Sequence, residues 1–110
     1  NIIKVVKNVK NEVMYLSRAK IPLEFKDVSK NFLKHLSIIS FKPESLIKFS
    51  ENKKTSLEKV EDIELLRALE IGLKIKTIVL TGDSFSVDVH QDYLNAVKRF
   101  KKDKFLKFYK

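Results

Sequence analysis

The chain has 110 residues, of which 44% are hydrophobic and 34% charged, with a formal net charge of +9 and no Cys. This length and apolar content fit one folded domain over residues 1–110 and exclude a disordered tail. The lack of Cys excludes disulfides, thiolate metal sites and a Cys nucleophile, and no apolar run is long enough to span a membrane. We therefore expect a cytoplasmic protein. Because residue 1 is Asn rather than Met, we also expect a fragment or domain of a larger protein.

The first forty residues contain two segments with helical spacing of apolar positions. Apolar side chains recur at steps of three and four over residues 2–16, which predicts an amphipathic helix, although the β-branched residues at its start also suit a strand. An Ile-Pro pair at 21–22 interrupts the pattern. Apolar positions over 25–39 then predict a second helix, with Asp27 or Ser29 available as its N-cap.

The middle of the chain carries clearer helix boundaries. Pro43 suits the first turn of a helix and disfavours helix in the residue before it, so a short helix is predicted from Pro43 to Phe49. Thr55 and Glu58 match a capping box ahead of a longer amphipathic segment. Gly72 follows the last apolar residue of that segment, where a left-handed residue commonly ends a helix.

Beyond Gly72 the apolar pattern changes from helical to alternating. Two alternating segments flank Gly82 and Asp83, a pair that suits a type II′ turn, so an antiparallel β-hairpin is predicted near residues 74–90. Helical spacing resumes after His90 and continues to Phe100, in a strongly basic context.

Together these elements predict the α+β class. The expected fold is a helix-rich single domain with four to five helices, one antiparallel β-hairpin near residues 74–90, and a C-terminal basic helix. Several helices followed by a hairpin resemble a winged-helix layout in element order alone, with the hairpin as the wing. No motif of a known family accompanies that analogy.

Candidate ligands for a metal ion are scattered. His35 and His90 lie far apart, and neither stands at ligand spacing from another His. Glu61, Asp62 and Glu64 point in different directions on one helix and are interpreted as its solvated face. We therefore predict no metal site and no cofactor.

Catalytic patterns are equally sparse. His90 stands near Asp88, Asp92 and Lys98, a set that would suit acid/base cleavage of RNA, but a polar strand-to-helix junction explains the same residues. No glycine-rich phosphate loop or nucleophile elbow is present. The sequence therefore predicts that the chain is not an enzyme.

The last fourteen residues carry six Lys and one Arg against a single Asp, with aromatic residues interleaved. Lys attracts polyanions and aromatic rings stack on bases, so we predict a non-catalytic nucleic-acid-binding domain that contacts DNA or RNA mainly from Lys to phosphate. The predicted binding residues are Lys74, Lys76, Lys98, Arg99, Lys101 and Lys102 for phosphates, and Phe105 and Tyr109 for stacking.

Two other interpretations of this charge stay open. A genome rich in A and T would raise the Lys content without any selection for polyanion binding. Alternatively, the chain is a protein–protein interaction or regulatory domain of a larger protein that binds an acidic protein surface. Nothing in the sequence indicates the oligomeric state.

Overall fold

The structure, a computed structural model, describes residues 2–28, 32–82 and 85–108. Backbone contacts divide the chain into two compact units, residues 1–79 and residues 80–110, which we call unit 1 and unit 2. The expectation of one domain over residues 1–110 stays a prediction.

Within the described residues, the strands come first along the chain and the helices follow. In unit 1 the strands are β1 (Lys4–Lys7), β2 (Val13–Ser17) and β3 (Leu33–Lys34), and the helices are α1 (Pro43–Glu51), α2 (Ser56–Glu61) and α3 (Leu65–Glu70). The sheet is antiparallel with strand order β2-β1-β3. Unit 2 contains α4 (His90–Phe100) and a 3₁₀ helix (Leu106–Phe108). The predicted α+β class is confirmed.

The helix predicted over residues 2–16 is wrong, because this segment is the β1–β2 hairpin. The side chain of Asn8 organises the turn: its Oδ1 accepts the main-chain N–H groups of Lys10 at 2.9 Å and Glu12 at 3.0 Å. Asn11 has φ of +61°, a left-handed conformation that Asn tolerates better than most residues. This turn and the β-branched residues beside it outweigh the helical spacing of the apolar positions.

The helix predicted over residues 25–39 is also wrong. Leu33 pairs with Val5 in the sheet, and the N–H of His35 donates to the carbonyl oxygen of Ile3 at 2.8 Å. Pairing with β1 therefore holds this segment in an extended conformation, although the spacing of its apolar residues predicted a helix. Ser29, one of the two predicted N-caps, lies outside the described residues.

The hairpin predicted near residues 74–90 does not form in the described part of that segment. Lys76 makes an isolated antiparallel bridge with Glu12, and the N–H of Val13 donates to the carbonyl oxygen of Ile75 at 2.8 Å. The backbone that was expected to pair with a second C-terminal strand is used at the β1–β2 hairpin instead. Residues 75–77 therefore pair with residues 11–13, which are distant in sequence, and not with the segment after Gly82.

The winged-helix analogy fails together with that hairpin. The only hairpin in the described residues, β1–β2, precedes all four helices, so the element order is the reverse of helices followed by a wing. Of the two predicted turn residues, Gly82 is described and Asp83 lies outside the described residues.

The helix boundaries predicted at Pro43, Thr55 and Gly72 are confirmed. Helix α1 begins at Pro43, and α2 begins after Thr55, whose N–H donates to the Glu58 carboxylate at 3.4 Å. The long segment that follows is two short helices, because Asp62 ends α2 in a left-handed conformation with φ of 53° and ψ of 48°. Gly72 ends the α3 segment with φ of +86°, as predicted.

The core of unit 1 lies between the sheet and α3. Leu16 of β2 is 1% exposed and Leu66 of α3 is 0% exposed, and they pack with Ile63 and Leu65. Removal of these apolar side chains from water is the main term that stabilises unit 1.

Unit 2 is built around α4, which confirms the predicted C-terminal basic helix. The carboxylate of Asp92 caps the helix, accepting the main-chain N–H of Val89 at 3.2 Å. None of the residues described in unit 2 is buried. Across residues 2–28, 32–82 and 85–108, no helix is both long and apolar enough to cross a membrane.

Candidate functional site

Two of the predicted phosphate-binding residues, Lys74 and Lys76, lie in unit 1. The ammonium of Lys74 is 3.8 Å from a carboxylate oxygen of Glu12, and that of Lys76 donates to the carbonyl oxygen of Lys10 at 3.1 Å. Both side chains therefore support the β1–β2 hairpin.

The other predicted residues belong to unit 2. The structure describes Lys98, Arg99, Lys101, Lys102 and Phe105 there. The Arg99 guanidinium lies 4.6 Å from the ring centroid of Phe85, and the rings of Phe105 and Phe108 are 6.2 Å apart. Tyr109 lies outside the described residues. Whether any of these side chains binds a ligand stays a prediction.

A separate polar network in unit 1 lies where β2 ends. The Ser17 hydroxyl donates to Glu61 Oε1 at 2.6 Å, and the main-chain N–H of Arg18 donates to Glu61 Oε2 at 3.0 Å. The N–H of Ala19 in turn donates to Ser17 Oγ at 3.0 Å. Glu61, the last residue of α2, thus fixes the turn that follows β2.

The Arg18 side chain is fixed from the same helix end. Its Nε donates to the carbonyl oxygen of Glu61 at 2.8 Å, and its Nη2 donates to that of Asp62 at 2.9 Å. Among the described residues, no carboxylate oxygen lies within the 4.0 Å ion-pair distance of this guanidinium. Carbonyl oxygens hold the guanidinium in place without cancelling its charge.

A second cation reaches the same turn. The ammonium of Lys4 donates to the carbonyl oxygen of Arg18 at 2.7 Å, and no described carboxylate pairs with it within the same limit. Lys4 stands opposite Ser17 on β2 and Lys34 on β3, so these three residues share one face of the sheet. Positive charge is therefore concentrated on this face, an arrangement that suits an anionic ligand.

Hydrogen bonding keeps the Glu61 carboxylate ionised. The Ser17 hydroxyl, followed by the Arg18 N–H, lowers the pKa of Glu61 against the opposing effect of burial. The carboxylate acts as an acceptor inside the turn. We call Lys4, Ser17, Arg18 and Glu61 the β2-end site.

A buried ion pair joins α2, the helix that ends in Glu61, to α3. Glu58 is 1% exposed, and its carboxylate accepts two hydrogen bonds from the Arg67 guanidinium, each at 2.8 Å. These bonds lower the pKa of Glu58, and the same contact raises the pKa of Arg67. The Arg67 guanidinium also lies 4.4 Å from the ring centroid of Phe49. One cation thereby ties α1, α2 and α3 together.

Sequence reasoning missed the β2-end site. It assigned Glu61 to a solvated helix face, because helical geometry alone does not reveal which turn packs against the end of another element. Lys4 was placed on a predicted helix, residues 2–16, that does not form, and Ser17 and Arg18 were given no role. No three His, Asp or Glu side chains in the described part of the chain are grouped to hold one metal ion.

Comparison with known proteins assigns the class. Residues 1–75 match the family model described as cytidylyltransferase, so the chain belongs to the cytidylyltransferase family. It is similar to two curated 3-deoxy-manno-octulosonate cytidylyltransferases. It is 35% identical over 103 residues to the one from Fusobacterium nucleatum subsp. nucleatum, and 40% identical over 91 residues to the one from Rickettsia prowazekii.

These matches cover most of the chain but less than half of each relative. They span 94% and 83% of this chain, and 42% and 35% of the respective relatives. A solved structure of a CMP:2-keto-3-deoxy-manno-octonic acid synthetase in complex with CTP matches with a TM-score of 0.80 and 27% identity. That match covers 92% of this chain and 42% of the other. The chain thus spans about two fifths of the length of its relatives.

These findings correct the functional predictions. The interpretation as a non-catalytic nucleic-acid-binding domain is wrong, and so is the alternative of an interaction or regulatory domain, because the family and the relatives are nucleotidyltransferases. The prediction that the chain is not an enzyme fails on the same evidence. DNA, RNA and an acidic protein surface are replaced as expected partners, since the solved neighbour binds CTP, a single nucleotide.

Proposed function

We propose that this chain is part of a cytidylyltransferase that joins CMP from CTP to 3-deoxy-manno-octulosonate. The observation that carries the proposal is the 35% identity over 103 residues to the Fusobacterium nucleatum enzyme. In this reaction a hydroxyl group of the sugar acid releases its proton to water, and its oxygen forms a bond to the α-phosphorus of CTP. The bond between the α-phosphorus and the bridging oxygen breaks, and pyrophosphate leaves together with the displaced electron pair.

Because the chain spans about two fifths of its relatives, the proposal includes a larger polypeptide that supplies the remaining part of the active site. This keeps the expectation of a fragment or domain of a larger protein. A cytoplasmic location also remains part of the proposal, since CTP is an intracellular nucleotide.

The β2-end site gives this chain a role in that reaction. Both substrates are anions at neutral pH: CTP carries a triphosphate and the sugar acid carries a carboxylate. The planar fork of Arg18 matches the geometry of either group, and Lys4 adds a second positive charge at the same turn. We assign Arg18 and Lys4 to binding an anionic group of a substrate.

The same arrangement can assist the chemical step. Negative charge develops on the phosphate oxygens as the leaving pyrophosphate separates, and fixed cations stabilise that charge more effectively than mobile ones. Arg18 needs little reorganisation, because the carbonyl oxygens of Glu61 and Asp62 already hold its side chain.

The test is an assay of pyrophosphate release by the purified protein that carries this chain, with CTP, 3-deoxy-manno-octulosonate and Mg²⁺. We expect release only when both substrates are present, and slower release when ATP replaces CTP. Arg18→Ala should lower kcat/KM at least about 10-fold, because a charge-assisted contact to a substrate anion is lost.

The Fusobacterium nucleatum relative serves as the positive control in the same assay. A folded protein that releases no pyrophosphate with this pair of substrates, while the relative does, would overturn the proposed function. Full activity of Arg18→Ala would leave the reaction assignment intact and remove Arg18 from it.

A further inference from the structure

Glu61 holds Arg18 at two separate points. Its carboxylate accepts the main-chain N–H of Arg18 at 3.0 Å, and its carbonyl oxygen accepts Nε–H at 2.8 Å. One residue thus sets where the Arg18 backbone lies and where the guanidinium points. We propose that Glu61, together with Ser17, is a positioning residue that orients the Arg18 guanidinium toward an anionic group of a substrate. This inference rests on the proposed function and deepens it.

The two carboxylate oxygens of Glu61 have different donors. Oε1 accepts the Ser17 hydroxyl at 2.6 Å, while Oε2 accepts the Arg18 N–H. Ser17 is 2% exposed, and its oxygen also accepts the N–H of Ala19, so the hydroxyl hydrogen is directed at Glu61. A Gln side chain has one carbonyl oxygen and a donating amide, so it has nearly the same size but cannot accept from both donors.

The end of α2 supplies the other half of the arrangement. Asp62 adopts a left-handed conformation, with φ of 53°, and its carbonyl oxygen accepts the Arg18 Nη2 at 2.9 Å. Carbonyl groups at the C-terminus of a helix carry partial negative charge, which attracts a cation without neutralising it. The guanidinium therefore keeps its charge and its remaining N–H groups for a ligand.

Steady-state kinetics of Glu61→Gln separate positioning from simple structural support. In the purified protein that carries this chain, we expect KM for CTP or for the sugar acid to rise about 10-fold, because a charge-assisted bond that orients Arg18 is lost. A rise for CTP identifies a phosphate as the oriented ligand, and a rise for the sugar acid identifies its carboxylate. A fall in kcat with both KM values unchanged, as from a smaller folded fraction, would overturn the inference.

Glu51→Gln is the matched control. Glu51 is the last residue of α1, as Glu61 is the last residue of α2, and within the described residues its side chain has no recorded polar contact. Both KM values of this control should stay within about twofold of the unaltered protein. An equal KM change in the two variants would show a general effect of charge and overturn the inference.

A double-mutant cycle tests whether Glu61→Gln changes KM through Arg18. If Glu61 acts through Arg18, adding Glu61→Gln to Arg18→Ala should change neither KM further. If Glu61→Gln changes KM by the same factor whether residue 18 is Arg or Ala, the positioning role is overturned. The anion-binding role of Arg18 would stay intact. If Arg18→Ala does not melt cooperatively, Arg18→Lys takes its place in the cycle, because it keeps the charge and loses the Nε contact.

If the enzyme is active but neither Arg18→Ala nor Glu61→Gln changes its kinetics, the role of the β2-end site is overturned and the reaction assignment stands. Absence of the reaction itself would overturn the proposed function. The two failures are therefore distinguishable in one set of assays.

Discussion

The two units of this chain differ in what holds them together. Every buried apolar residue among those described belongs to unit 1, which also contains the Glu58–Arg67 pair and the β2-end site. The described part of unit 2 has no buried residue, yet it contains the most basic stretch of the sequence. The family match covers residues 1–75, within unit 1. The most basic stretch therefore lies outside the residues that the family model matches, so charge density alone was a poor guide to the family.

Removal of one Arg from each unit should give the largest difference. Arg67 lies over Phe49 and pairs with the buried carboxylate of Glu58. Arg99 lies over Phe85 in unit 2, where none of the described residues is buried. We expect Arg67→Ala to lower the free energy of unfolding by about 3–5 kcal/mol, since the Glu58 charge is left buried and unpaired. Arg99→Ala should lower it by less than about 1 kcal/mol.

Urea unfolding followed by circular dichroism measures both free energies. Equal losses in the two variants would contradict the contrast between the units. A loss for Arg67→Ala below that for Arg99→Ala would show that the buried pair does not stabilise unit 1.

Truncation of one Leu in each unit should give the next largest difference. Leu66 is fully buried, whereas Leu94 on α4 is 40% exposed. Leu66→Ala should destabilise the protein by about 2–5 kcal/mol through lost burial and a residual cavity. Leu94→Ala should have a smaller effect, about 1 kcal/mol or less. The same urea experiment provides the numbers, and a larger loss at Leu94 would reverse the assignment of the core to unit 1.

Acid should weaken unit 1 through two carboxylates. In the folded chain, hydrogen bonds from Arg67 lower the pKa of Glu58, and the Ser17 hydroxyl lowers that of Glu61, from an ordinary value of 4.5. The unfolded chain therefore binds more protons in the acid range. The stabilisation that the Glu58 and Glu61 carboxylates contribute is fully present above pH of about 4.5. It is lost as the pH falls through their lower pKa values in the folded chain.

Unfolding free energies measured from neutral pH down to about pH 3 check this dependence. The unaltered protein should show a steeper fall than Glu58→Gln or Glu61→Gln. Parallel curves for all three proteins would mean that neither carboxylate is linked to folding.

The smallest effect is expected from removing surface charge in unit 2. Lys98, Lys101 and Lys102 are exposed, and the residues proposed to bind an anionic group, Arg18 and Lys4, lie in unit 1. Replacing all three with Ala should leave pyrophosphate release within about twofold, the usual range for exposed side chains. A loss comparable to that of Arg18→Ala would move part of the site into unit 2.

Features set by neighbouring residues were predicted well from the sequence. Pro43, Thr55 and Gly72 mark helix ends through their own backbone preferences and short-range hydrogen bonds, and the structure places helix ends at all three. Helix α4 was predicted at its correct position from its spacing of apolar residues. The predicted α+β class is correct, but its β part rested on a hairpin near residues 74–90, whereas the observed strands lie within residues 4–34.

Features set by distant pairing were not predictable in the same way. The helical spacing of residues 2–16 was overruled by an Asn8 turn, and residues 75–77 paired with the start of β2 rather than with the segment that follows them. Such choices depend on which backbone groups meet in space, and apolar spacing along one segment does not contain that information.

The sequence by itself therefore determined the helix boundaries at Pro43, Thr55 and Gly72, the basic character and the absence of Cys chemistry. Only the tertiary structure brought Arg18 to Glu61, across 43 residues of chain, and left the guanidinium bonded to carbonyl oxygens instead of a carboxylate. From the sequence alone, a solvated Glu on a helix cannot be distinguished from an ionised Glu that fixes an Arg. The two differ in which groups pack against the carboxylate, and those contacts form only when the chain folds.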